Sequence, residues 1–320
     1  MNAVPAATTL VEHGVRARLR RSPLLRRLWR ERWMYLFILP GFIYFVLFNY
    51  VPLLGNVVAF QNYSPFLGFL RSPFVGFANF QQLFTDPDVG VALRNTLEIS
   101  VLQLIFYFPA PIALALLLNS MGSEFLKRLM QSIVYLPHFI GWVIVIALWQ
   151  QVLGGDGFIN QFLRDQGWGT LSIMDNPAFF KPLVVLQVIW KDIGWGTIIF
   201  LAAISKIDVS LYEASAIDGA NRWRRLWHVT LPGIRSIIVL LFILRLGAVL
   251  STGFEQMLLQ RDAVGPNAAE VLDTFVYFQG ILNGNWGLST AVGLLKGIVG
   301  AVLVLTANKM AKKFGEEGVF

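Results

Sequence analysis

Six long apolar stretches constrain the fold of this chain more than any other feature. About 20 helical residues cross the ~30 Å hydrocarbon core of a bilayer, and each stretch is close to that length or longer. Lipid offers no hydrogen-bond partners, so a helix is the ordinary way for a single segment to cross it. The stretches are 34–60, 95–118, 131–153, 182–204, 234–250 and 288–308. The chain is 56% hydrophobic and only 14% charged, and we predict an all-α membrane protein with six transmembrane helices.

Prolines and small residues within these stretches predict how the helices pack. Proline is tolerated in a membrane helix where neighbours satisfy the freed carbonyl groups, so a proline kink indicates a bundle. Small residues at four-residue spacing let another helix approach closely. The last stretch has this spacing at Gly293, Gly297 and Ala301. The prolines lie at Pro40, Pro52, Pro109, Pro111 and Pro137.

The basic residues predict the orientation in the membrane. With the N-terminus inside, eighteen Lys and Arg fall in cytosolic segments and five in outer segments, as the positive-inside rule requires. The net charge of +7 is thus explained by topology, and we expect membrane lipid but no nucleic acid as a partner. Residues 1–32, with eight arginines, are either a basic interfacial helix or a charged tail. We expect a transmembrane bundle at 33–310, within it a cytosolic loop at 206–232, and a cytosolic tail at 311–320. Outer loops should follow the first, third and fifth stretches.

The cytosolic loop is the one long polar insertion between apolar stretches, and it has a helix–turn–helix pattern. Apolar residues recur at helical spacing after Asp208, and Gly219 follows where a helix would stop. A second short pattern begins at Asn221, a suitable N-cap, and Pro232 marks its boundary. This pattern predicts two short helices joined at a glycine, which project from the membrane face and form a docking surface for another protein.

Residues of this loop resemble the coupling motif of ABC importer permeases. The matching residues are Glu213, Ala214, Asp218, Gly219, Leu231 and Pro232. Ser215 stands where that family has a second alanine, a small-for-small change. The resemblance implies the type I ABC importer permease fold, in which a cytoplasmic coupling helix pair sits in a cleft of the ATPase subunit.

The resemblance covers nearly the whole chain after residue 33 and points to the oligosaccharide branch of these permeases. It implies a second homologous permease subunit, two ATPase subunits and an extracytoplasmic solute-binding protein, in the bacterial inner membrane. Branch members import oligosaccharides, including uronic-acid oligomers and alginate. The matching segments are FNYVPLLGNVVAFQNYSP (48–65), SPFVGFANF (72–80), ALLLNS (115–120), YLPHFIGWV (135–143), GFEQ (253–256), TFVYFQG (274–280) and TAVGLLK (290–296).

Ionisable residues inside the apolar stretches predict a polar path through the bundle. A charge at the bilayer centre costs about 2.5–3.5 kcal/mol on insertion scales, so each one needs a physical reason. One reason is a path for a hydrophilic solute, with aromatic rings for stacking on sugar. The other is internal pairing, for instance of Glu98 with Arg245. The candidate path residues are Glu98, Trp190, Lys191, Asp192, Trp195, Arg245, Glu255 and Lys296. Its cations favour an acidic oligosaccharide, unless Glu98 and Asp192 neutralise them.

The chain shows no catalytic motif. It has no GxxxxGK[ST] phosphate loop, no HExxH, no GxSxG and no cysteine, and its three histidines form no recognisable metal motif. We therefore expect no enzyme activity, metal or cofactor in this chain, with ATP and magnesium on the partner ATPase. The alternative function is a secondary transporter driven by an ion gradient, with Glu98 and Asp192 as ion sites.

Overall fold

The computed structural model describes residues 30–316 and 318–319. The predicted basic segment 1–32 lies outside the described residues except for its last three. The chain divides into two compact units, residues 1–55 and 56–320. The described residues are mostly helical, and the β-structure among them is a single isolated bridge between Gln61 and Phe74.

The first unit consists, in its described part, of one apolar helical segment. Helix α1 is Arg32–Phe45 and contains Pro40. A π-helical turn, Val46–Tyr50, follows, and a 3₁₀ segment, Val51–Phe60, continues into the second unit.

The second unit contains the remaining helices. Its α-helices are α2 (Gly68–Arg71), α3 (Ala78–Thr85), α4 (Pro87–Leu102), α5 (Pro109–Asn119), α6 (Glu124–Tyr135), α7 (Trp142–Leu153), α8 (Phe158–Asp165), α9 (Pro177–Ile204), α10 (Val209–Ile217), α11 (Arg222–Arg225), α12 (Leu231–Gly233), α13 (Arg235–Gly247), α14 (Phe254–Val264), α15 (Pro266–Ala269), α16 (Leu272–Val276) and α17 (Trp286–Lys313). Shorter non-α segments link some of them at Gln103–Tyr107, Leu136–Phe139, Leu226–Thr230 and Tyr277–Leu282.

Within the described residues, five helical segments are long and apolar enough to span a membrane. A sixth span exists only if a bent pair of helices is counted as a single span. The bent pair is Arg222–Gly233 with Arg235–Gly247, which meet at 59°. Alone, the 13 residues of α13 reach about 20 Å at 1.5 Å per residue, too short for the predicted fifth span. The five are Arg32–Phe60, Pro87–Asn119, Trp142–Asp165, Pro177–Ile204 and Trp286–Lys313.

The predicted third span, 131–153, is wrong at its start. Helix α6 ends at Tyr135, a 3₁₀ turn follows, and the next helix begins only at Trp142. Pro137 lies in that turn, where its missing N–H cannot continue an α-helical ladder. The proline therefore breaks the stretch instead of kinking it.

The segment after the fifth stretch, predicted as an outer loop, contains helices that pack in the core. Met257 of α14 is fully buried and packs with Phe180 and Val184 of α9. Gln187, Gln256 and Gln260, also buried, close a hydrogen-bond network between these helices. Its Gln–Gln bonds measure 2.8–3.0 Å. These bonds offset part of the cost of burying the three amides, although Gln256 Oε1 has no hydrogen-bond partner in the described part of the chain.

Helix α17 makes its closest approach through different residues from those predicted. A Cβ added at Gly293 or Gly297 would meet no atom within 4 Å in the described part of the chain. Gly300 instead lies directly against the backbone carbonyl of Gly247. The predicted face of Gly293, Gly297 and Ala301 is thus not the one that packs within this chain.

Candidate functional site

Two breaks in the helical bundle lie against the middle of α9. The π-turn Gln103–Tyr107 and the 3₁₀ turn Leu136–Phe139 both contact this helix. Proline follows the first break at Pro109 and sits inside the second at Pro137. Irregular backbone at membrane depth is tolerated where it is buried in protein or lines a polar cavity. The breaks therefore mark a candidate polar site.

The site is built on four neighbouring side chains. His138 Nδ1 lies 2.8 Å from Asp192 Oδ1, and the imidazole stacks on the Trp195 indole at 4.5 Å between centroids. Lys191 Nζ donates to the His138 carbonyl at 2.8 Å and lies 3.8 Å from Asp192 Oδ1. Lys191 is only 7% exposed. The cluster therefore combines an ammonium group, fixed in position by its hydrogen bond, with an aromatic face.

Arg245 of α13 completes the site from the opposite side of the break at residues 103–107. Its guanidinium donates to Gln103 Oε1 and lies 5.5 Å from the Tyr107 ring centroid. The segment that contains Gln103 and Tyr107 packs on α9, the helix that carries Lys191 and Asp192. The hydrogen-bond acceptor of Arg245 is a neutral amide, so the site holds two cations, Lys191 and Arg245, against one carboxylate.

The other predicted path residues lie elsewhere. Glu98 is internally paired, as the alternative to a polar path supposed, but its partners are Lys181 and Arg94 and not Arg245. Lys296 pairs with Asp273. Trp190 packs edge-on to Trp149 at 6.2 Å, and Glu255 is exposed in the first turn of α14.

Of the eight predicted path residues, the structure brings together Lys191, Asp192, Trp195 and Arg245. His138 and Gln103 belong to the same site and were not predicted. The proline-broken segment YLPHFIGWV carries His138, and a polar residue beside such a break is the signal that could have identified it.

The loop 206–232 folds as predicted at its helix boundaries. The Asp208 side chain accepts from the Ser210 amide at 2.9 Å and starts α10, and hydrogen bonds from Ser210 lower the pKa of that carboxyl group. Gly219 follows the helix with φ of +72°, a conformation that glycine adopts without strain. Asn221 accepts from the Arg224 amide at 2.9 Å and caps α11. A hydrogen bond of 3.1 Å between Tyr212 and Thr230 ties the two halves together.

The outer surface of this helix pair is apolar and basic. Ile217 is 88% exposed, and Arg222 and Arg224 lie among the exposed apolar residues. Glu213, Ala214, Asp218, Gly219 and Pro232 are also exposed, and Leu231 is half-buried. Exposed apolar patches of this kind mark interaction sites. The other large apolar residues exposed here are Val209, Leu211, Trp223 and Trp227.

Comparisons with known proteins agree on one family. Residues 107–311 match the family described as "Binding-protein-dependent transport system inner membrane component". The chain is 46% identical over its full length to the full-length polygalacturonan/rhamnogalacturonan transport system permease protein YteP of Bacillus subtilis. It is also 46% identical to protein LplB of the same organism, covering 91% of this chain and 92% of LplB.

A solved structure has the same fold. It is a chain of a bacterial alginate ABC transporter in complex with an alginate pentasaccharide-bound periplasmic protein. The TM-score is 0.85 at 36% identity, with 92% of this chain and 99% of that chain covered.

Proposed function

This chain belongs to the family of binding-protein-dependent transport system inner membrane components, and we propose that its cargo is an acidic oligosaccharide. It is a permease subunit of an ABC importer for oligosaccharides, not an enzyme, and in these systems the ATPase is a separate subunit. The membership also removes the alternative of transport driven by an ion gradient.

The excess of positive charge at the broken-helix site carries the proposal. Lys191 and Arg245 face one carboxylate, Asp192. Elsewhere in the described bundle, Glu98 pairs with both Lys181 and Arg94, and Lys296 pairs with Asp273. A uronate carboxylate would supply the missing negative charge, and a guanidinium binds carboxylate with two parallel hydrogen bonds. The Trp195 and Tyr107 rings would offer apolar faces to the sugar.

The proposed mechanism is alternating access. A solute-binding protein delivers the oligosaccharide to the outer side, and two ATPase subunits, which hold ATP and magnesium, close on the inner side. Their closure pushes on α10–α12 through Glu213, Ala214, Asp218, Gly219, Leu231 and Pro232. Because α12 adjoins α13 at the 59° bend, this push would move Arg245 relative to α9 and open the site inward. A second homologous permease would form the other half of the path in the inner membrane.

The test is transport by the reconstituted complex of neutral and uronic oligosaccharides of equal length. Arg245→Gln removes the charge, and Arg245→Lys keeps it. We expect Arg245→Gln to lower the uptake of the uronic oligomer about tenfold or more, corresponding to about 1.4 kcal/mol, and to lower neutral uptake much less. Arg245→Lys should retain the preference for the acid. The proposal would be contradicted if Arg245→Gln lowered the uptake of both oligosaccharides equally, or left the uptake of the uronic oligomer unchanged.

A further inference from the structure

A groove separates the end of α5 from the start of the second coupling helix, α11. Its volume is about 470 Å³. It lies at the end of the span Pro87–Asn119, where the chain leaves the apolar helix and turns at residues 120–123. The lining residues are Ala113, Leu116, Leu117, Ser120, Arg222, Trp223 and Leu226. The groove is distinct from the polar site around Lys191 and Arg245, with which it shares no residue.

One side of the groove is hydrocarbon-like. Leu117 is 65% exposed and Trp223 71% exposed, so the apolar surface that they form is left uncovered by this chain. Tryptophan is enriched where a membrane meets water, because its ring is apolar with a polar N–H at one end. A leucine-lined channel beside such a ring suits an acyl chain that enters from the bilayer.

The other side of the groove carries a free positive charge. Arg222 is exposed, and within the described residues its side chain makes no hydrogen bond and no ion pair. None of the seven lining residues is acidic. Guanidinium binds phosphate with two parallel hydrogen bonds, and basic pockets between membrane helices bind anionic head groups.

We propose that this groove binds one anionic diacyl phospholipid of the phosphatidylglycerol type. The phosphate lies on Arg222, the acyl chain runs along Leu116 and Leu117, and the Trp223 ring packs on the glycerol region. Such a lipid touches both a membrane span and the second coupling helix. Its occupancy therefore adjusts how firmly the coupling helices are held against the bundle. The proposal needs only that the chain spans a membrane and does not depend on which oligosaccharide is carried.

The test measures lipid retention by the full transporter complex. The complex is delipidated in detergent and titrated with phosphatidylglycerol or phosphatidylcholine, and bound lipids are counted by native mass spectrometry. We expect at least one phosphatidylglycerol to bind with a clear preference over phosphatidylcholine. Arg222→Gln should weaken this binding about tenfold. Leu117→Trp should weaken it as strongly, because it fills the groove without changing the charge.

Arg224→Gln is the matched control, since Arg224 is exposed on the same short helix but lines a different groove. It should retain phosphatidylglycerol as the parent does. Equal losses of phosphatidylglycerol binding in the Arg222 and Arg224 variants would mean that the lipid is attracted to the basic surface in general. That result would overturn the proposal. So would unchanged retention in Leu117→Trp. If Arg222→Gln instead releases the ATPase subunits while lipid retention stays the same, a protein covers the groove and the proposal is wrong.

Discussion

Gly194 and Gly293 are helical glycines with opposite surroundings. A Cβ at Gly194 would collide with the backbone carbonyl of Val134, whereas one at Gly293 would meet no atom within 4 Å in the described chain. Overpacking of this kind costs about 1–3 kcal/mol. We therefore expect Gly194→Ala to lower the thermal unfolding temperature by several degrees and Gly293→Ala to leave it unchanged or raise it slightly. The unfolding temperatures of both variants can be measured by heating the protein and monitoring its aggregation with fluorescence-detected size-exclusion chromatography. Equal shifts in unfolding temperature would contradict the close approach of α9 to Val134.

At the same scale, the sequence predicts which residues are unusual but not which residues they meet. Lys191, Asp192 and Arg245 stand out because a charge in an apolar stretch is costly, and the structure places all three in one site. The partner of Glu98 was mispredicted, since pairing depends on how each helix is rotated and shifted along its axis. Lys181, which does pair with Glu98, appeared to be an ordinary outer basic residue. His138 was missed because its position beside Pro137, which marks a break in the helix, was not used as a signal.

At the scale of elements, the turn at Gly219 is the joint of the coupling helix pair. Its φ of +72° is a conformation that costs a non-glycine residue about 1–2 kcal/mol. We expect Gly219→Val to insert normally but to lose substrate uptake about tenfold or more, because the two helices can no longer present their surface together. Glu213→Arg should also abolish uptake without preventing insertion. Uptake by vesicles and membrane content by immunoblot are the measurements.

Gly167 provides the matched control for that turn. It is also exposed, has φ of +74°, and leaves space for a Cβ, but it follows α8, away from the coupling helices. Gly167→Val therefore carries the same backbone strain and should transport normally. A similar loss of uptake in both variants would show that strain, and not coupling, is responsible.

The elements that the sequence predicts well are those whose composition is uniform. The long apolar helices and the capped coupling helices, with Asp208, Gly219 and Asn221 at their ends, agree with the structure. Helix α14 lies in the segment predicted as the outer loop after the fifth stretch. Its Gln256 and Gln260 are buried and hydrogen-bond to Gln187, a distant residue that local composition cannot identify. The proline break at the start of the third span and the 59° bend before the fifth were not predicted for a related reason, since both are decided by tertiary packing.

For the whole molecule, the orientation in the membrane follows from the distribution of charge. The span Pro87–Asn119 has 33 residues and reaches about 50 Å at 1.5 Å per residue. Its end at Asn119 lies beside the coupling helices, across the groove from Arg222. The predicted topology puts eighteen Lys and Arg on the side of those helices and five on the other, so we expect the coupling helices in the cytosol.

The absence of cysteine makes this orientation directly testable. Leu70 and Ile217 are both strongly exposed, and the predicted topology places them on opposite sides of the membrane. Introduced singly, Leu70→Cys should react with a membrane-impermeant maleimide added to intact spheroplasts. Ile217→Cys should react only after permeabilisation, and the cysteine-free parent should not react at all. Labelling of Ile217→Cys in intact spheroplasts would show that the topology is the reverse of the predicted one. It would also place the coupling helices beyond the reach of a cytosolic ATPase, so this one measurement bears on the coupling mechanism as well as on the fold.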